Sequence, residues 1–253
     1  CLFKSSWKLL FKCVYVGVLM EGYIRSGSAN IYYAIYGEEN TEPLVLLHGN
    51  GESSQHFQKL IPLLADKYKV ITIDSRGHGK SDFGGNQLSL GTMAVDLVNV
   101  IEELNIGKVN IVGFSDGANI AMLTAIKNSD IVKKAVFIGG NYNFWGLKPI
   151  TGILIAVGYF CSAAGAFFDS RNKFNKEYFS LMLKEPALKK NTLKYIKAPV
   201  LVINGNKDMI KKSHAKAMAD TIPKGELKIV NGDHFWIYRK PEEASNIIKK
   251  FIG

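Results

Sequence analysis

Five short runs, residues 44–47 (LVLL), 70–73 (VITI), 109–112 (VNIV), 135–138 (AVFI) and 200–203 (VLVI), are apolar at nearly every position rather than at alternate ones. A strand with one wet face alternates, so these runs belong to strands covered on both faces, as in a parallel sheet sandwiched between helices. The intervening segments agree. Met93, Leu97, Val100, Ile101 and Leu104 recur at helical spacing, as do Ala244, Ile247, Ile248 and Phe251 after Pro241, a residue suited to a first helical turn. Near the start, Ile24, Ile31, Tyr33 and Ile35 flank Ser26-Gly27-Ser28-Ala29-Asn30 and predict a β-hairpin, and residues 227–230 predict a last strand. Residues 54–68 read as a helix kinked at Pro62. Strand and helix patterns thus alternate, which predicts a doubly wound, mainly parallel α/β sheet. A chain of 253 residues, 47% of them hydrophobic, is enough to fill one such core.

In sheets of this kind ligands lie at the carboxyl ends of the strands. The turns expected there hold most of the reactive side chains. His48-Gly49-Asn50-Gly51 follows the first run, and its backbone N–H groups can point into a site. Gly113-Phe114-Ser115-Asp116-Gly117 follows the third, with a helical pattern from Ala118 directly behind it. The G-x-S-x-G pentapeptide is weak by itself, but placed between strand and helix it displays a serine as a nucleophile. A serine hydroxyl needs a base, and His234, in the turn after the last strand, is the best placed. Asp208, in the turn after the 200–203 run, is the carboxylate that would fix the imidazole tautomer, preferred to Asp233 beside the base and to Asn141, which has no carboxylate. The backbone N–H groups of Asn50 and Asp116 are the expected oxyanion donors. His48, His56, His78 and His214 read as structural or surface groups, and Asp74 as a stabiliser of its own loop. This chemistry requires neither a metal nor an organic cofactor.

Taken together, these segments resemble the α/β-hydrolase fold family from about Gly22 to the C-terminus, in the family's order of serine, acid and histidine. His48-Gly49-Asn50-Gly51 resembles the oxyanion turn, Asp74-Ser75-Arg76-Gly77-His78-Gly79-Lys80-Ser81 the D-x-R-G-x-G-x-S segment, and residues 113–117 the nucleophile elbow. The resemblance implies a helical lid at residues 145–195, inserted after the sixth strand into a core of residues 20–144 and 196–253. It also implies a serine hydrolase that cleaves a small carboxylic ester through an acyl-enzyme. A thioester, an activated amide or a carbon–carbon bond next to a carbonyl would suit the same triad. A lipid-surface lipase and a non-catalytic ligand-binding protein are more distant alternatives. Phe114-Ser115-Asp116-Gly117 further resembles the elbow of valacyclovir-hydrolase-like enzymes, which act on α-amino acid esters. On that resemblance Asp116 recognises a cation on the substrate, whereas the plainer reading is a solvated carboxylate at a helix N-terminus.

Residues 150–168 carry no charge over nineteen positions, close to the length of a membrane span. Gly152, Gly158 and Gly165 interrupt them, and the chain must return to the sheet by Val200. The expectation is therefore an apolar helix or helix pair over the serine, with Trp145, Ile153, Phe160 and Phe235 lining a pocket for an apolar acyl or aromatic group. Residues 171–197 are strongly basic, which reads as a solvated face, with an anionic membrane or an acidic substrate as alternative partners. A net charge of +10 comes with no helix-turn-helix, zinc spacing or aromatic RNA-binding motif, so a nucleic-acid partner is not expected. Three cysteines, Cys1, Cys13 and Cys161, form no disulfide framework or metal spacing and fit a reducing, cytoplasmic setting. Residues 1–19, with Lys4, Lys8 and Lys12 among apolar side chains, read as a leader or extraneous segment outside the fold, with an export signal or an amphipathic arm as alternatives.

Overall fold

The computed structural model describes residues 17–253 other than 38, 86 and 167. Its strands are β1 (Met20–Ser26), β2 (Ala29–Tyr36), β3 (Pro43–Leu47), β4 (Lys69–Ile73), β5 (Val109–Phe114), β6 (Val132–Ile138), β7 (Val200–Gly205) and β8 (Gly225–Val230). The helices are α1 (Ile61–Leu64), α2 (Leu90–Glu103), α3 (Asp116–Lys127), α4 (Pro149–Gly165), α5 (Ser170–Lys184), α6 (Lys212–Thr221), α7 (Trp236–Arg239) and α8 (Pro241–Ile252). One sheet runs in the order β1-β2-β4-β3-β5-β6-β7-β8. Only the β1–β2 and β2–β4 pairs are antiparallel, and every other neighbour is parallel. The fold is the doubly wound α/β sheet that the apolar runs predict.

Each central strand shares its side chains between two cores. Val45, Leu47, Ile71, Ile73, Ile111, Phe137 and Val202 belong to a cluster that includes Leu97 and Ile101 of α2 and Met122 of α3. Their sequence neighbours Leu44, Leu46, Val70, Val112, Val136, Ile138 and Ile203 join Leu64 of α1 and Ile248 of α8 on the other face. This is the pleat acting on all-apolar runs, and each fully buried aliphatic side chain contributes about 1.5–3 kcal/mol. From β3 the chain steps outward to β4 and then returns past β3 to β5. The strand order reverses between β3 and β5, and the crevice at their carboxyl ends lies between the turn at Gly49 and the turn at Ser115.

One local reading changes. Residues 54–68 do not form one kinked helix but a 3-10 turn (Ser54–Phe57) followed by the single turn of α1. Pro62 falls in the first turn of α1, where the missing N–H has no intrahelical acceptor to lose, so it starts a helix instead of bending one. Arg76, in the segment after β4, is buried and makes a two-bonded ion pair with buried Asp96 of α2, at 2.6 and 2.9 Å. It also donates to the Ser26 carbonyl at 3.0 Å, so one side chain ties this segment to α2 and to the end of β1.

Between β6 and β7 the chain leaves the sheet for α4 and α5, which pack together. Leu147, Ile155 and Ile210 form a small separate core with Phe144, Phe179, Met182, Leu183 and Met209 beneath them. Glu185, just past α5, accepts the Leu90 N–H at 2.7 Å and so caps α2 from the inserted segment. No described helix is long and apolar enough to cross a membrane. Of the expected leader, residues 1–16 lie outside the described residues.

Candidate active site

Ser115 has φ +53° and ψ −118°, a conformation that non-glycine residues rarely adopt and that costs on the order of 1–3 kcal/mol. The strain places it at the strand-to-helix corner, where its N–H donates to the Ile138 carbonyl at 2.8 Å and α3 begins with the next residue. Gly113 and Gly117 serve this corner by their lack of a side chain, not by a special φ. A Cβ at Gly113 would strike the Gly117 carbonyl, and one at Gly117 would strike the Leu47 carbonyl of β3. The two glycines let β5, α3 and β3 close together under the serine.

The turn after β8 brings the His234 ring over Ser115. His234 Nε2 lies 3.0 Å from Ser115 Oγ, and Nδ1 lies 2.8 Å from Asp208 Oδ1. With Nδ1 donating to the carboxylate, Nε2 is left as the acceptor of the serine proton. Gly139, at φ +61°, supports the ring from below, since a Cβ there would come within 2.7 Å of His234 Cε1. Asp208 is buried at the end of the loop after β7, where Oδ1 also accepts the Ile210 N–H at 3.0 Å and Oδ2 the Gly205 N–H at 3.3 Å. Burial pushes this carboxyl upward, but the hydrogen bonds and charge of His234, with the two backbone donors, outweigh it and hold Asp208 below the usual range.

The N–H groups of Asn50 and Asp116, the expected oxyanion donors, donate to no acceptor among the described residues. The loop that carries Asn50 is fixed from three sides. Glu52 accepts the Gly49 N–H at 2.9 Å and the Tyr238 hydroxyl at 2.6 Å. The Asn50 amide donates to the Tyr178 carbonyl of α5 at 2.8 Å, and its oxygen faces His78 Nε2 at 3.2 Å. Tyr178 stacks on His78 and donates its hydroxyl to the Gly77 carbonyl at 2.8 Å. Buried His48 receives the Ser75 N–H on Nε2, and burial together with the neighbouring His78 lowers its pKa to about 4. Asp74 accepts the N–H groups of Ser54 and Lys80. His48, His78 and Asp74 therefore order loops, in line with their sequence reading. Glu52, Tyr178 and Tyr238 are contributors that neither motif nor spacing marks.

Comparison with known proteins bears on the family and the fold. The alpha/beta hydrolase fold family model matches residues 42–171. The chain belongs to the alpha/beta hydrolase fold family. An sn-1-specific diacylglycerol lipase from Danio rerio is 36% identical over 112 residues, which are 43% of this chain and 35% of the lipase. The match thus spans about a third of that relative's length. The magnesium-chelatase 30 kDa subunit of Rhodobacter capsulatus is 27% identical over 231 residues, 76% of this chain and 80% of that protein. Among solved structures, naproxen esterase from Bacillus subtilis superposes with a TM-score of 0.77 at 20% identity, over 94% of this chain and 93% of that one. At that identity the likeness is one of fold.

Within this hydrolase fold, Asp116 stands out. Its side chain is buried, Oδ1 accepts the Asn119 amide at 3.0 Å, and Oδ2 has no partner among the described residues. Burial raises its pKa to about 6, against the lowering effects of Asn119 and of His234. It is therefore not the solvated carboxylate of the plainer reading. Asn119 also binds Asn141, through the Asn141 N–H at 2.9 Å and the amide oxygen at 3.3 Å, so the α3 start and the loop after β6 share one polar cluster.

The four expected lining residues divide. Phe235 packs edge-on to His234 and near Phe114, beside the serine. Trp145, Ile153 and Phe160 stand in solvent, at 77, 58 and 70% exposure. The side of α4 turned onto the protein is instead that of Gly152, Ile155 and Ser162. Periodicity did not separate these two faces, because α4 is apolar nearly all round.

Proposed function

We propose that this chain is a serine hydrolase that cleaves small carboxylic esters through an acyl-enzyme. The observation that carries the proposal is the unbroken relay from Ser115 Oγ through His234 to Asp208, at 3.0 and 2.8 Å. His234 takes the serine proton as Ser115 Oγ attacks the carbonyl carbon, and the N–H groups of Asn50 and Asp116 receive the charge that develops on the carbonyl oxygen. His234 then returns the proton to the leaving alcohol. Water repeats the sequence against the acyl-serine and frees the acid. Thioesters and activated amides suit the same steps, and rates on matched esters and thioesters rank them. The test of the triad is Ser115→Ala, which should lower turnover by about 10⁴- to 10⁶-fold while the oxyanion donors remain. A fluorophosphonate should label the wild type alone, and equal labelling of the alanine variant would remove Ser115 from its role.

A second reading concerns selectivity and rests on the unpartnered Asp116 Oδ2. A buried acceptor beside the nucleophile suits a donor brought by the substrate, above all an ammonium, which would also keep the carboxylate ionised. Asp116→Asn should then weaken cleavage of α-amino acid esters preferentially. A uniform loss on amino-acid and neutral acyl esters would show that Asp116 does not select an amine.

A further inference from the structure

The outward face of α4 is a row of large apolar side chains without cover. Ile150, Ile153, Leu154, Val157 and Phe160 share one side of the helix, linked by steps of three (150–153, 154–157, 157–160) and four (150–154, 153–157), and each is between 53 and 70% exposed. The opposite side of the helix already has its partners in the Leu147–Ile155–Ile210 core. A helix that is apolar on both sides is normally buried on both.

Charge identifies what covers the open side. Residues 145–195 hold eight lysines and arginines against three carboxylates, so half of the net charge of +10 sits in a fifth of the chain. All three carboxylates are engaged: Asp169 with Arg171, Glu177 with Lys176, and Glu185 with the Leu90 N–H. Lys148 precedes α4, and Lys173 lies in the first turn of α5 beside exposed Phe174. Neither is paired with a carboxylate among the described residues. Between Trp145 and Asp169 no acidic residue interrupts the surface. We propose that this face docks α4 flat on a membrane surface that carries anionic phospholipid.

The dimensions suit lying on a bilayer rather than crossing it. The seventeen residues of α4 are at the short limit for a span, and no described helix is long and apolar enough to cross a membrane. The apolar row enters the boundary between headgroups and acyl chains, while Lys148 before α4 and Lys173 of α5 stay level with the phosphates. Pairing of the same face with a second copy would bring two sets of unneutralised lysines together, which disfavours that occupant. The proposal is independent of the triad and of any substrate.

The experiment is sedimentation of the full chain with two vesicle types, phosphatidylcholine alone and an equal mixture of phosphatidylcholine and phosphatidylglycerol. Wild type should partition onto the mixed vesicles, with binding weakened by added salt. The double variant Leu154→Glu, Val157→Glu should bind them weaker by about tenfold or more, and Lys148→Gln with Lys173→Gln should narrow the difference between vesicle types. Both pairs of positions are on or near the surface, and thermal melts check that each variant is folded. A conservative Phe160→Trp variant supplies a second readout, since its emission should be quenched by lipids brominated along the acyl chain. Failure of wild type to bind overturns the proposal. So does equal binding by the glutamate variant, which would assign binding to another segment such as residues 1–16. A wild-type dimer that the glutamate variant abolishes, without vesicle binding, would make the face an interface between copies.

Discussion

A buried carboxylate directly after Ser115 has an energetic consequence at the level of one side chain. Asp116 ionises near 6 in the folded chain and near its ordinary 3.8 when unfolded, so between those values the folded state holds more protons. Stability therefore falls as pH rises from about 4 to about 6 and stays reduced above that. Asp116→Asn removes the penalty while its oxygen keeps the bond from Asn119. The variant should melt above wild type near pH 8, by an amount on the order of 2–3 kcal/mol, and the two should converge near pH 4. Parallel melting curves at both pH values would show that the buried carboxylate costs nothing. Ser115 and Asp208 were legible in the sequence because each sits in a turn that follows an apolar run, and His234 because it sits in the turn after the last predicted strand; the structure brings the three into one hydrogen-bonded line. Glu52 and Tyr238 were not legible, since they meet only through the fold, across 186 positions of chain.

Among the elements, α5 has a role that its composition does not announce. Its Tyr178 joins Asn50 and the Gly77–His78 loop in a closed ring of contacts, so the helix holds one of the two expected oxyanion donors in place. Asn50→Ala leaves the backbone donor but releases its loop, and should lower kcat by about tenfold or more with KM little changed, because alignment matters most as charge develops. Tyr178→Phe, which removes only the bond to Gly77, should do the same more mildly. A raised KM at unchanged kcat would instead make the ring a substrate contact. The sheet itself was legible because residues apolar at every position have one way to be satisfied. The short helices were not: Pro62 signals a start or a break equally well, and here neighbouring turns decide. On α4, an uncharged run announces burial without saying which side is buried, and the packing of Ile155 on Leu147 and Ile210 settles that.

For the molecule as a whole, the separation of β6 from β7 has a consequence in time. The two strands are neighbours in the sheet, yet all of residues 139–199 lie between them, and closing a loop of that length costs on the order of 3–4 kcal/mol of chain entropy. Strands β1 to β6 form a continuous block that carries the serine corner and the Asn50 turn. Asp208 and His234 arrive only with β7 and β8, after the insertion has been traversed. A chain emerging from the ribosome thus completes the Ser115 corner first and the turns of Asp208 and His234 last. Until β7 and β8 dock beside β6, the Ser115 hydroxyl lacks the contact with His234 that the finished fold gives it. The insertion defers that meeting of side chains until the sheet is complete.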